Sequence, residues 1–310
     1  MVKIKNVLIA GTGAVGLPTA ETLYNYDPDC VSILAKGERL ARYRKEGLWL
    51  NGKRIDFRFS HGEKADLIII ASKFHHLDQI IEDITPSVGP DTLILSLLNG
   101  ISSEEIIGRK LGREKLPLAM IIGTDALREG TVTTCKRRGI INFGDIRENG
   151  EREDRIAEFF TRAGMEFNLN PKMKRALWYK FMINVGTNQV TAILRLPYGA
   201  ISNRGGPHEI GEARELIEKA MHETIDIANA EGIDLNDDDI GNWYKTLNSL
   251  DPAGYTSMCQ DVMAKRKTEL EMFSPVIMEL GKKHNIPVTV NETLYLQLKT
   301  IEQYNLHSED

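Results

Sequence analysis

Along the first half of the chain, apolar residues come in short unbroken runs separated by longer stretches of mixed polarity. The runs fall at residues 7–11 (VLIAG), 31–35 (VSILA), 66–72 (DLIIIAS), 92–98 (TLILSLL) and 117–123 (PLAMIIG). Runs of this length predict strands buried on both faces. Helix-length polar–apolar segments lie between most of them, at 14–26, 77–84 and 103–111. Such alternation predicts a parallel sheet covered by helices. Residues 48–59 alternate instead around Asn51-Gly52, a two-residue turn signal, and predict a small antiparallel ribbon. Two further strands, at 131–134 and 140–143, are expected to extend the sheet. From about Pro171 the strand signals stop. Helices are expected at 173–194, 209–230, 237–247, 257–284 with a break at Pro275, and 290–304. The chain reads as α/β: a doubly wound parallel sheet over residues 1–170, then an all-helical domain over 171–310.

Composition narrows the function. The 310 residues are 42% hydrophobic and 27% charged, the balance of a globular protein, and the net charge of −5 argues against a broad grip on nucleic acid. Three scattered cysteines, Cys30, Cys135 and Cys259, fit a reducing compartment, and no two have metal-ligand spacing. No apolar run approaches the ~20 residues of a membrane span. The opening MVKIKNVLIAG breaks into glycines too early for a signal peptide. A cytoplasmic protein is expected, with neither nucleic acid nor membrane as partner and no metal.

The first chemical motif is GTGAVG, comprising Gly11, Thr12, Gly13, Ala14, Val15 and Gly16, directly after the first strand and opening a helix. In that context the first glycine permits the tight turn, the second lets a pyrophosphate approach the backbone, and the third lets helix pack on strand. The helix N-terminus offers N–H donors to the phosphates. The first domain is therefore expected to be a Rossmann-type dinucleotide binder. NAD sites usually end the second strand with Asp or Glu on the ribose 2′-hydroxyl. Here that strand ends ILAKGER: no carboxylate stands at Ala35 or Lys36, and Lys36 and Arg39 bring positive charge. Those cations suit a 2′-phosphate, hence NADP; as plain surface cations they would say nothing.

The second motif is ALWYKFMINVGTNQVTAIL, residues 176–194, where Lys180, Asn184 and Asn188 follow at four-residue steps. Such steps advance only about 40° around a helix, so the three form one polar stripe. On a half-exposed helix this would be a solvated face. Here apolar residues surround the stripe almost completely, which favours a stripe lining a cleft. Beside a nicotinamide, Lys180 suits a general acid that protonates the oxygen of a carbonyl undergoing reduction. Desolvation would lower its pKa and a nearby carboxylate would raise it. The asparagines would hydrogen-bond substrate oxygens.

A further polar cluster, YTSMCQDVMAKRKTELEMF at 255–273, carries Ser257, Gln260, Asp261, Thr268 and Glu269. Spacing alone leaves two readings open, a capped and solvated helix face or a site. HEIGE at 208–212 lacks the second histidine of a zincin and reads as a polar helix start. Asp237–Asp239 reads as a helix-opening charge cluster. His75-His76 has no obvious partners.

Taken together, GTGAVG, ASK at 71–73, Asn99-Gly100, LWYKFMINVGTNQVTAI at 177–193 and TSMCQDVMAKRKTE at 256–269 resemble the ketopantoate reductases, the NADPH-dependent 2-dehydropantoate 2-reductases. The resemblance spans both domains in order. It implies a Rossmann domain and a helical domain with the site in the cleft between. It also implies reduction of 2-dehydropantoate to (R)-pantoate in pantothenate and coenzyme A biosynthesis. By the same resemblance Lys180 is the proton donor, Asn184 and Asn188 are substrate ligands, and Ser257 holds the substrate carboxylate. Glu269 reaches toward cofactor and substrate and joins Lys180 as a catalytic residue. Lys73, Asn99 and Ala126 contact the cofactor, and Asn99 also touches substrate. A homodimer is compatible with this reading.

Three departures bear on the substrate. Lys36 stands where the family often has arginine, Tyr198 where some members have an asparagine, and Ser274-Pro275 where asparagine-glycine is usual. The alternatives are a related NADP-dependent 2-keto acid reductase of different substrate, another two-domain NADP oxidoreductase of similar architecture such as a β-hydroxyacid or opine dehydrogenase, or a non-catalytic NADP-binding sensor. A sensor has no need of a proton donor.

Overall fold

A computed structural model describes residues 3–144 and 150–307. The chain divides into two compact units, Met1–Lys174 and Arg175–Asp310.

In the first unit the central sheet is built from β1 (Val7–Ala10), β2 (Val31–Ile33), β5 (Arg58–Phe59), β6 (Ala65–Ile70) and β7 (Val88–Ser96). All neighbours run parallel, in the order β5-β2-β1-β6-β7. Every residue of β1 and the last four of β6 are buried, as continuous apolar strands between two helical layers must be. The helices α1 (Gly16–Tyr26), α2 (Gly37–Glu46), α3 (Leu77–Ile84), α4 (Ser103–Leu111) and α5 (Glu151–Arg162) complete the alternation of a Rossmann-type fold. With all five strands parallel, the carboxyl ends of β1, β2, β6 and β7 share one edge of the sheet, where such folds bind ligands.

The expected ribbon forms between β3 (Leu48–Leu50) and β4 (Lys53–Ile55), with Asn51 and Gly52 at φ 49° and 78°. The later strands correct one expectation, because they do not extend the parallel sheet. β10 (Val132–Arg137) pairs with β3 and with β9 (Asp125–Glu129), giving a separate sheet β4-β3-β10-β9. The turn residue explains this pairing: the Asn51 carboxamide accepts from the Cys135 N–H at 2.8 Å and donates to its carbonyl at 2.9 Å. β8 (Leu118–Ile122), β11 (Ile140–Gly144) and β12 (Phe167–Leu169) form a third sheet, β12-β11-β8. β8 is held under α4 by buried Glu104, which accepts from the Ala119 N–H at 3.2 Å.

The second unit is helical: α6 (Met173–Ile183, entering from the first unit), α7 (Gln189–Leu194), α8 (Tyr198–Ile201), α9 (Gly211–Ala230), α10 (Asp237–Leu247), α11 (Ser257–Met263), α12 (Ser274–His284) and α13 (Thr289–His307). Asp237–Asp239 form the first turn of α10, which opens on a capping box between Asn236 and Asp239. Two expectations change here. The helix expected over 173–194 carries a π-helical turn at Asn184–Asn188. The helix expected over 257–284 divides before Pro275, across a segment where Lys265 sits at φ 53°. Pro275 lies in the first turn of α12, where its missing N–H has no helical partner to lose. No described helix is long and apolar enough to cross a membrane.

Candidate active site

The glycine loop joins β1 to α1. Gly11 sits at φ 111°, and a Cβ there would lie 2.5 Å from the Ala71 carbonyl oxygen at the end of β6. A Cβ on Gly16 would overlap the Gly11 carbonyl oxygen, so the helix can start this close to the strand only with glycine there. At Gly13 the nearest protein atom would be 4.0 Å away. The loop is thus packed tight at both ends and open in its middle, at the positive end of α1, whose Leu17 and Thr19 N–H groups are already taken by the Gly13 and Val15 carbonyls at 3.1 and 3.3 Å. A pyrophosphate needs that combination, and the residues present fit a dinucleotide. Gly16→Ala is expected to destabilise the ligand-free protein by about 1–3 kcal/mol through overpacking, read as a lower Tm.

Arg128 on β9 fixes the loop from outside. Its guanidinium donates to the Thr12 carbonyl, to Thr12 Oγ1 at 3.0 Å and to the Tyr43 hydroxyl at 2.9 Å, while Thr12 Oγ1 donates to the same hydroxyl at 2.8 Å. Burial alone would raise the Tyr43 pKa, but the Thr12 hydrogen bond and the Arg128 charge bring it below its usual range. Ala126 lies two residues earlier on β9 and therefore on the same face as Arg128. Sequence reading missed Arg128 and Tyr43, because the sequence separation of 116 between Arg128 and Thr12 leaves no local pattern to find.

Next to the loop is a cavity of about 410 Å3, lined among others by Gly11, Ala35, Lys36, Arg39, Gln79 and Asp83. This is where the second strand ends and where an adenosine ribose belongs in such a sheet. The structure corrects one premise of the sequence reading. Lys36 has an acidic neighbour after all: its Nζ lies 2.9 Å from Asp83 Oδ1. Asp83 comes from the end of α3, and Gln79 also donates to that oxygen, at 3.3 Å. His76, which had no partners in the sequence reading, lines the same cavity and is in ring contact with His75 at 4.2 Å. Lys73 and Asn99 follow the carboxyl ends of β6 and β7, on the ligand-binding edge of the sheet.

In the second unit, Lys180 is half-buried on α6. Burial pushes its ammonium down from an ordinary 10.5 to about 8, and the Glu269 carboxylate partly opposes the fall. Ring packing brings the two segments together: Phe181 lies 6.3 Å from Phe273, centroid to centroid. Glu269 itself is positioned by its neighbour. Thr268 is buried and donates its N–H and Oγ1 to Glu302 of α13, at 2.9 and 2.5 Å.

Asn184 and Asn188 are each only 8% exposed. Asn188 Nδ2 donates to Asn184 Oδ1 at 3.3 Å, whereas Asn184 Nδ2 is buried with no protein partner. An unpaired buried donor is costly unless a ligand accepts from it. The π turn that carries both asparagines has local causes. Gly186 is pressed against α9, where a Cβ would come 2.6 Å from Met221 Cγ. The Gln189 carboxamide donates to the Val185 carbonyl at 2.8 Å and accepts from Ser274 at 2.5 Å. Ser274, one of the departures from the family pattern, is thus committed to this buried network.

Ser257 is exposed at the first position of α11. The preceding Thr256 caps that helix and shares a hydrogen bond of 2.9 Å with Thr191 on α7, which ties Ser257's helix to the asparagine row. Two other members of that cluster, Asp261 and Gln260, are held in structural contacts. Asp261 pairs with Arg266 at 2.9 Å, and Gln260 donates to the Tyr255 carbonyl at 3.0 Å. Tyr198 opens α8 with its ring against Gly254, three residues before Ser257.

The comparisons agree over both units. The model of the family "Ketopantoate reductase PanE/ApbA" matches residues 7–148, and that of its C-terminal part matches residues 172–302. The 2-dehydropantoate 2-reductase of Pyrococcus horikoshii is 29% identical over 307 residues, covering 96% of this chain and 97% of its own. Among solved structures, a PanE/ApbA family ketopantoate reductase from Ralstonia eutropha JMP134 superposes with a TM-score of 0.82 at 23% identity, covering 97% of this chain and 100% of that one. A D-mandelate dehydrogenase, in its ternary structure with NADH and anilino(oxo)acetate, gives a TM-score of 0.85 at 21% identity, covering 97% and 99%. At these identities the two structures speak to the fold alone.

Proposed function

The chain belongs to the ketopantoate reductase family and is an oxidoreductase with a nicotinamide cofactor, and from that premise we propose that it reduces ketopantoate to (R)-pantoate with NADPH. The observation that carries the proposal is Lys180: a half-buried ammonium with a pKa near 8, influenced by Glu269 and one helical turn before Asn184 with its unpaired donor.

Gly11 to Gly16, at the N-terminus of α1, would hold the pyrophosphate, Lys36 and Arg39 the 2′-phosphate, and Lys73, Asn99 and Ala126 the rest of the cofactor. When bound, the reduced nicotinamide supplies a hydride to the substrate's carbonyl carbon. Lys180 donates the proton that the carbonyl oxygen then requires. Asn184 and Asn188 orient the acid through its hydroxyl, and Ser257 receives its carboxylate. Glu269 keeps Lys180 more protonated than burial alone would, and stands ready to contact substrate or cofactor. Asn99 is assigned a substrate contact as well.

The direct test is NADPH consumption with ketopantoate and a panel of other 2-keto acids. Turnover of ketopantoate is expected. Binding of NADPH without turnover of any keto acid would leave a non-catalytic NADP-binding protein in its place.

The cofactor half is tested separately. Two cations, Lys36 and Arg39, face one carboxylate, Asp83, in the ribose cavity, so the balance still favours a 2′-phosphate. NADPH should be preferred over NADH by ~1–3 kcal/mol, the value of charge-assisted hydrogen bonds to that group. Lys36→Ala should harm kcat/KM for NADPH far more than for NADH. Equal kcat/KM for the two cofactors in the wild type would defeat this assignment.

A further inference from the structure

We propose that Asp83 is a specificity-determining residue that limits the chain's preference for a 2′-phosphorylated cofactor and keeps the unphosphorylated ribose acceptable. The inference rests on the ribose cavity assigned above and concerns the one charged group there whose sign is wrong for NADP.

Rossmann-type sites that select NAD place a carboxylate at the end of the second strand, where it accepts from the ribose 2′-hydroxyl. This chain has Ala35 and Lys36 there, but α3 delivers Asp83 to the wall of the same cavity. Among the described residues its observed donors, Lys36 Nζ at 2.9 Å and Gln79 Nε2 at 3.3 Å, both reach Oδ1, which leaves Oδ2 to accept from a ligand hydroxyl. Asp83 is also the better buried partner: its side chain is 22% exposed against 57% for Lys36. The lysine is therefore the arm that can swing, and the carboxylate is the part held in place.

Two effects on a 2′-phosphate follow. The phosphate must take Lys36 from Asp83, so part of the attraction is spent in breaking an existing pair. The carboxylate left behind then faces the incoming anion across the cavity, a like-charge contact that also disfavours binding. A ribose hydroxyl meets neither obstacle, since it can donate to Asp83 while Lys36 stays paired. Gln79 has no charge to contribute, so Lys36, Arg39 and Asp83 set the charge balance of this wall, with His76 beside them.

The test is binding to the intact chain, measured by calorimetry without turnover, with adenosine 2′,5′-bisphosphate and adenosine 5′-monophosphate as probes and with NADPH and NADH alongside. Asp83→Asn keeps shape and removes charge. It is expected to tighten the bisphosphate and NADPH about tenfold, the scale of one like charge at a partly screened site, while the monophosphate and NADH stay level or weaken. Asp83→Ala should move the ratio the same way and guards against an effect peculiar to asparagine. An unchanged ratio of bisphosphate to monophosphate affinity in both variants, or equal shifts for all four ligands, overturns the proposal. The ratio is read against the wild type, so it is informative whichever cofactor the wild type prefers. A wild type that favours NADH would defeat the NADPH assignment and leave the role of Asp83 standing.

Discussion

Lys180→Ala is expected to lower kcat by ~10²–10⁴, the usual range for loss of a general acid, while leaving NADPH affinity nearly unchanged. The size follows from what the side chain is asked to do. An ordinary lysine near 10.5 holds its proton too firmly to be an efficient donor at neutral pH. Burial of Lys180 brings it to about 8, still protonated in most molecules yet readier to give the proton up. The pH dependence has a definite sign. The active form is the ammonium, so kcat/KM should be level below pH 8 and fall as pH rises through about 8. Glu269 works against the depression. Glu269→Gln should therefore move the alkaline limb to lower pH, besides any loss of binding. Lys180→Arg should not restore turnover, since a guanidinium keeps the charge but does not release its proton. Turnover of Lys180→Ala within a few-fold of wild type would make Lys180 a structural lysine.

Ketopantoate should surpass 2-ketoisovalerate, which lacks the hydroxymethyl group, by ~10²-fold or more in kcat/KM. Asn184 supplies the physical reason. Its Nδ2 is buried without a protein partner, and its Oδ1 is already occupied by Asn188. A ligand hydroxyl that accepts from Nδ2 removes a penalty of about 1–3 kcal/mol, and a ligand without one leaves it in place. Asn184→Ala should shrink the discrimination by slowing ketopantoate and sparing 2-ketoisovalerate. Two departures from the family pattern bear on pocket size. Ser274 is turned into the Gln189 network, whereas the Tyr198 ring packs against Gly254, three residues before Ser257. A side-by-side assay with a bulkier 2-keto acid decides the matter. If the bulkier acid wins, the substrate assignment falls.

The sequence disclosed most where burial is two-sided or a motif is local. β1 and β6 are apolar at nearly every position because both faces are covered, and the bounds of α3, α4 and α10 agree with the periodicity. α2 was missed because it has almost nothing to bury: Tyr43 is its one buried residue, so no apolar stripe marks it. β9 is short and half-exposed, and alternation over five residues carries little signal; β5, which continues the alternation of the 48–59 ribbon, pairs instead in parallel with β2. The π turn was invisible for a different reason. Asn184 and Asn188 keep the same spacing in sequence whether the turn is α or π, and only Gly186 against α9 and the Gln189 carboxamide select the wider one. In the candidate site, Lys180 and its asparagines could be read from one helix. Asp83 beside Lys36, and Arg128 over Thr12, join residues from different elements, and no periodicity records a partner across space. The second strand's own residues show no acid at Ala35 or Lys36, and Asp83 reaches Lys36 from α3, a separate element.

The hold of Arg128 on the glycine loop has a consequence for how the protein is made. The side chain that fixes the Thr12 carbonyl is encoded 116 positions after Thr12, on a strand outside the parallel sheet. Contacts of such long separation form late, after the chain between them has collapsed. The early strand and helix can therefore pair long before the phosphate-binding loop is locked, and a nascent chain halted before residue 128 would carry the whole glycine motif without the latch that holds it ready. The glycine motif and the residue that braces it thus lie far apart in sequence, and the loop's final geometry depends on β9 having joined the fold.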